Sequence, residues 1–390
     1  MGRSSGWDLL GVTTAAFFVT MVARLAPSPL VPDIIDAFGA TTGTVGLALS
    51  GMWAAYALFQ FPGGVVADRV GERRVILVAM AGVTVASLAL AGAPTFGVFA
   101  VAAVGLGAAA GLYFTAGTSF LTARFENTGR ALGIHEIGVS AAGLIAPVAS
   151  TAAATRFGWR AGVLVPAVVA PVVLVLFAWR APATSADGDD GGDGVVDIGQ
   201  LCALLTRPSI AFTTVLAMGG FFTWQSFASF FPTFLVEHVG LTAGQSSLTF
   251  GAVFALTMVT APGLGWLSDS TGRDPALVVS FLAGTGGYAC FLFGGGRPVA
   301  VVAGAGLVGL GLSWPGALNS RFMDHLAAEE RGTGFGLVRT VVLLVSSLGS
   351  GVTGTVAEAS GWFAAYALVA VLLAALVALL VGVHTVGIDA

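Results

Sequence analysis

Twelve apolar runs, most close to the length that crosses a bilayer, follow one another along 390 residues and leave little chain over. A helical span needs about 20 such residues. The runs fall at 8–31, 43–66, 73–93, 96–119, 132–154, 159–180, 209–236, 244–266, 276–294, 299–320, 334–356 and 361–384. Hydrophobic residues make up 56% of the chain and charged ones 9%, where a soluble protein carries about a quarter. Lipid is therefore the solvent for most of this surface. The predicted fold is an all-α membrane protein of twelve transmembrane helices, with no room for a large extramembrane catalytic domain. No enzyme is expected.

The connections are short except for 181–208, where Asp187, Asp189, Asp190, Asp193 and Asp197 lie among glycines. That spacing does not match a calcium loop, so it reads as a solvated, acidic linker. It separates a six-helix bundle at 1–180 from a second at 209–390. All basic residues are Arg, and their distribution sets orientation. With the N-terminus inside, Arg3, Arg69, Arg73, Arg74, Arg124, Arg130, Arg180, Arg207, Arg273, Arg321 and Arg331 are cytoplasmic, and only Arg156, Arg160 and Arg297 are outside. Both termini are expected in the cytoplasm of a cell whose cytoplasmic membrane holds the chain. The net charge of −4 and the lack of a basic stripe exclude a nucleic-acid partner. Cys202 and Cys290 have no ligand spacing, so neither metal nor cofactor is expected.

The two halves repeat. At an offset of 201, Ser28, Gly39, Thr41 and Gly43 meet Ser229, Gly240, Thr242 and Gly244, and Gly64, Asp68 and Gly71 meet Gly265, Asp269 and Gly272. Farther on, Gly111 pairs with Gly311, Gly133 with Gly336, and Gly158-Trp159 with Gly361-Trp362. A repeat in one membrane orientation predicts two bundles about an axis along the membrane normal, with a site near the midplane.

The loop after the second span reads Gly64-Val-Val-Ala-Asp68-Arg69-Val-Gly71-Glu-Arg73-Arg74, and its echo reads Gly265-Trp-Leu-Ser-Asp269-Ser-Thr-Gly272-Arg273-Asp274. On these motifs the whole chain resembles the major facilitator superfamily. The second copy departs from the family pattern, with Ser270 and Asp274 in place of basic residues. The resemblance implies gating loops, in which Asp68 would lie near the start of span eleven and Asp269 near that of span five. A carboxylate is stabilised at a helix N-terminus. A tight basic loop that only obeys the orientation rule is the plainer account.

The stretch Arg24-Leu-Ala-Pro-Ser28, with Tyr56 and Gln60-Phe-Pro62-Gly63-Gly64, is similar to the family's organic-anion and organophosphate branch. That likeness implies that Arg24 contacts an anionic substrate. Many such members carry an Asp just before this Arg; here the position is Ala23. The residues alone also single out Arg24. An Arg at bilayer depth costs about 2.5–3.5 kcal/mol, and Arg24 shares a helical stripe with Thr13, Thr20 and Ser28. The alternative is an interfacial Arg reaching outward beside Asp33 and Asp36. Its repeat partner Gln225 can orient a ligand without neutralising it.

Glu136 and Arg339 occupy equivalent repeat positions on stripes of small and polar residues, Ser140, Gly143 and Pro147 for one, Ser346 and Ser350 for the other. Both stripes are expected to face a cavity or the other half. Buried guanidinium groups at 24 and 339 are expected to need negative company. Burial of Glu136 would favour its protonated form and suit it to proton coupling; an acid in the first turns of its helix, near Arg130, is the ordinary alternative. Tyr113 joins Tyr56 as an expected substrate contact, although an aromatic here is more often packing. Gly304-Ala-Gly306-Leu-Val-Gly309 fits G-x-G-x-x-G, but no strand precedes it, so helix packing is the better account. No Lys exists to build an ATP-binding loop.

The expected protein is a secondary transporter of a small organic anion working by alternating access as a monomer, with protons as a candidate coupling ion. A proton-driven exporter of drugs or other hydrophobic compounds is the rival. Family members of that class carry an Arg before the Gly-rich stretch of span four, and Val101–Gly107 has none. A non-transporting receptor on the same fold would bind without flux.

Overall fold

The computed structural model describes residues 6–182, 198–327, 330 and 333–386, all helical apart from turns and short connections. The acidic cluster at 187–197, Arg3 and Arg331 lie outside these residues. Among the described residues, ten helices are long and apolar enough to cross a membrane. One, Gly334–Val383, is 50 residues long and is broken at Gly361, where φ is 82° and ψ 167°, so it supplies two spans. The thirty-residue helix Pro208–Glu237, interrupted by several buried Thr, Ser and Gln residues, completes twelve.

The structure corrects the first span. It does not end near residue 31: helix Gly6–Leu25 stops, a 3-10 turn follows at Ser28–Leu30, and Val31–Phe38 continues. Pro27 and Pro29 account for the break, because proline lacks an N–H and crowds the preceding turn. The break leaves Arg24 in the last turn of its helix. Span ten is broken in the same way, as Pro298–Gly311 and Pro315–His325.

The repeat is visible in the backbone. Gly39 and Gly240 have φ of 59° and 82°, Gly71 and Gly272 have 88° and 102°, and Gly158 and Gly361 have 85° and 82°. Left-handed backbone favours glycine, and here it turns the chain at matching places in both halves.

The chain divides into two units. Residues 1–40 and 48–195 form the first, and 41–47 with 196–390 form the second. In the first, spans two (Thr42–Val70) and four (Phe96–Thr122) meet through glycines. A Cβ at Gly107 would fall on the Met52 carbonyl oxygen, and one at Gly111 would lie 2.5 Å from that of Tyr56. Gly107 and Gly111 are one turn apart, the spacing by which small residues let membrane helices approach closely. In the second unit a Cβ at Gly304 would lie 2.7 Å from the Phe291 ring and one at Gly309 2.7 Å from Leu256, whereas Gly306 faces open space. Two of the three glycines in the nucleotide-like motif are therefore packing residues.

Candidate substrate site and gating loops

Arg24 is buried, with 4% of its surface exposed. Its guanidinium carbon lies 4.0 Å from the Tyr56 ring centroid and 5.0 Å from that of Trp53. Nε donates to the Thr20 carbonyl oxygen at 3.3 Å. Among the described residues Arg24 makes no ion pair. A cation in the last turn of a helix gains up to about 2 kcal/mol from the aligned peptide dipoles, and a desolvated aromatic face returns about 2 kcal/mol more. Together these match the insertion cost of about 2.5–3.5 kcal/mol. The rings take the faces of the guanidinium and the backbone takes Nε. The Tyr56 side chain also hydrogen-bonds to the guanidinium, and the N–H donors left over can hold a carboxylate.

Buried polar atoms continue this surface. Ser28 Oγ, one turn beyond Arg24, and Gln60 Nε2, one turn beyond Tyr56, have no hydrogen-bond partner among the described residues. Tyr113 is committed differently. Its hydroxyl donates to the Thr13 carbonyl oxygen at 2.5 Å and lies 3.0 Å from His135 Nε2. His135 also stacks on Phe17, with centroids 4.4 Å apart. This group ties spans one, four and five together, and Tyr113 is fully buried within it. Glu136 is exposed, so the burial that would favour its protonated form is not what this position offers. It lies within electrostatic reach of both Arg24 and Tyr113.

In the second unit Gln225 is buried, and its Oε1 has no partner among the described residues. Its neighbours bind span eleven. Ser229 Oγ lies 2.6 Å from Ser350 Oγ, Thr353 Oγ1 donates to Ser226 Oγ at 2.8 Å, and Ser346 Oγ donates to the Met218 carbonyl oxygen at 3.0 Å. The Ser346–Ser350 stripe, expected to face a cavity or the other half, instead closes a helix contact inside the unit. Arg339 is half-buried on the same helix.

The loops show why their two copies differ. Gly64 is half-buried, Asp68 and Arg69 are exposed, and Gly71 starts the next helix. Arg73 donates to the carbonyl oxygens of Ala178 at 2.6 Å and Ala181 at 3.0 Å. It thus caps the C-terminus of span six, where a cation is favoured. In the echo, Gly265 is half-buried, Gly272 starts span nine, and Asp269 is paired with Arg273 at 2.6 Å. Arg273 also holds Asp324 at 3.0 Å. Asp274, at the place of Arg73, pairs at 2.8 Å with Arg321, whose side chain is 4% exposed. Arg321 also donates to Thr213. It was counted as a loop charge; it is a buried structural one. The swapped sign at Asp274 was the available signal. Farther along, Arg207 grips both oxygens of Glu330, at 2.8 and 2.6 Å. These bonds hold the Glu330 carboxyl below its ordinary value.

A cavity of about 650 Å³ opens in the second unit beside Arg273, Asp274, Arg321 and His325, with Val278 and Leu380 as apolar walls. Its charged groups already neutralise one another. The family model that describes the Major Facilitator Superfamily matches residues 13–341. The chain belongs to the major facilitator superfamily.

As a member of that superfamily it is a multi-pass membrane transporter and not an enzyme. The transcription regulatory protein OpdE of Pseudomonas aeruginosa is 24% identical over 373 residues, covering 93% of this chain and 90% of that protein. The hexuronate transporter of Bacillus subtilis (strain 168) is 24% identical over 271 residues, 66% of this chain and 63% of that protein. Among solved structures, the nucleoside transporter NupG superposes with a TM-score of 0.80 at 14% identity, covering 97% of this chain and 98% of that one. A POT family transporter in complex with a thioalcohol-conjugated peptide gives 0.80 at 10% identity, with 96% of each chain covered. At such identities these superfamily structures share the fold alone.

Proposed function

We propose that this chain is a secondary transporter that moves a small organic anion, a carboxylate or organophosphate, across the cytoplasmic membrane by alternating access. The observation that carries this reading is the buried Arg24 guanidinium, without an ion pair among the described residues and held on Tyr56 and Trp53 with N–H donors to spare. Likeness to a hexuronate transporter supports an anionic substrate. Arg24 binds the anion and Tyr56 orients the guanidinium. Gln225 and Arg339 are the second unit's candidate substrate groups. Tyr113, with its hydroxyl engaged, positions span one against spans four and five. Glu136, within reach of Arg24's charge, is the candidate for proton coupling. The loops around Asp68 and Asp269 bias the two states of the cycle, and both chain ends lie in the cytoplasm.

A thermal-shift screen on the purified protein tests this. Carboxylates, sugar acids or organophosphates should stabilise the wild type and not Arg24→Ala. Stabilisation by lipophilic cations and by no anion would replace this reading with hydrophobic-compound export.

A further inference from the structure

The first turn of span two belongs to the second unit, although the rest of that helix belongs to the first. Two bonds satisfy its leading N–H groups, which no helix can satisfy internally. Thr41 supplies one locally, its Oγ1 accepting from the Thr44 N–H at 3.2 Å. The other comes from span eleven: Glu358 Oε2 accepts the Gly43 N–H at 2.8 Å, across 315 residues of sequence. Around this bond the two backbones nearly touch. A Cβ at Gly43 would lie 2.6 Å from Glu358 Oε2, one at Gly46 2.7 Å from the Ser350 carbonyl oxygen, and one at Gly354 2.7 Å from that of Thr42. Any side chain on this face would force the first turn off span eleven.

The duplicated sequence provides an internal control. Span eight starts with the same local cap, Thr242 Oγ1 accepting from the Gln245 N–H. Yet at Gly244, the counterpart of Gly43, nothing stands within 4 Å of a built Cβ. Glu358 aligns with Thr155 by the Gly158–Gly361 correspondence. Thr155 donates to the Ala152 carbonyl oxygen in its own helix at 3.1 Å. Among the described residues the carboxylate clip is made at Gly43 and not at its counterpart Gly244. A charged acceptor at a helix N-terminus gains from both the bond and the peptide dipoles.

We propose that Glu358 is a latch: it holds residues 41–47 on span eleven, and its release frees the start of span two to move. The latch stands on the geometry alone, while its use in a transport cycle rests on the function proposed above. Hydrogen–deuterium exchange on the full chain in detergent tests it without any substrate. In Glu358→Ala, amides of 41–47 should exchange about tenfold faster than in wild type, the effect of losing one charge-assisted bond. Those of 242–248 should be unchanged. Glu358→Gln, which keeps an acceptor oxygen, should fall between. Unaltered exchange at 41–47, or an equal rise in both segments, would overturn the latch. Because no flux is measured, a failed transport assignment would leave this result untouched.

Discussion

Replacing Arg24 with alanine should cut uptake of the transported anion into proteoliposomes by on the order of 100-fold or more. Removing one partner of a buried charge pair costs about 3–5 kcal/mol, and each 1.4 kcal/mol is about tenfold. The loss should come from binding and not from misfolding. Arg24 is held by local features, the end of its own helix and the rings of Tyr56 and Trp53. Taking a guanidinium out of the bilayer relieves an insertion cost. The variant should therefore elute as a monodisperse peak with normal helicity. Arg24→Lys should recover part of the uptake only. It restores a point charge without the planar fork that grips a carboxylate and stacks on an aromatic face. Uptake by Arg24→Ala at the wild-type rate would remove the anion site from this helix.

Gly107→Ala should have the largest effect on folding. The new Cβ would overlap the Met52 carbonyl oxygen, a backbone atom that no rotamer change can move aside. Overpacking costs about 1–3 kcal/mol where side chains can yield, and here spans two and four would have to separate. Their separation would also shift Tyr56, one turn after Met52, and so the ring beneath Arg24. The expected result is loss of the monodisperse fraction in size-exclusion chromatography. Gly105→Ala, two residues away with nothing within 4 Å of its built Cβ, should behave as wild type. Normal yield and melting for Gly107→Ala would contradict the close approach of these helices.

Much of the fold was legible because its signals are local. Apolar runs gave the twelve spans, and the glycines at 39, 71 and 158 with their counterparts at 240, 272 and 361 marked the repeat, since only glycine sits comfortably in left-handed backbone. The break after Arg24 was written in Pro27, Pro29 and Pro32, but an apolar run conceals it when hydropathy is averaged. The site was less legible. Arg24 could be picked out by its cost in lipid, whereas its setting on Tyr56 and Trp53 depends on contacts across about thirty residues that no helical period encodes. Periodicity told which residues share a face, not what the face meets. Hence Ser346 and Ser350 were assigned to a cavity or the other half and proved to bind span seven. Whether Glu136 is buried, the condition set for it to carry a proton, could not be read from its stripe, and it is exposed. Arg321 shows a different limit. A charge count treats every Arg alike, while the unusual acid at Asp274 was the clue that one of them is buried beside it.

The central claim is that this transporter carries an organic anion, and counterflow in proteoliposomes tests it most directly. Vesicles loaded with one unlabelled candidate are diluted into its labelled form, across carboxylates, sugar acids, organophosphates and lipophilic cations. The account predicts transient accumulation of at least one anion by the wild type, absent in Arg24→Ala, and none of any cation. Accumulation of lipophilic cations with no anion exchanged, or binding of an anion without any flux, would contradict it.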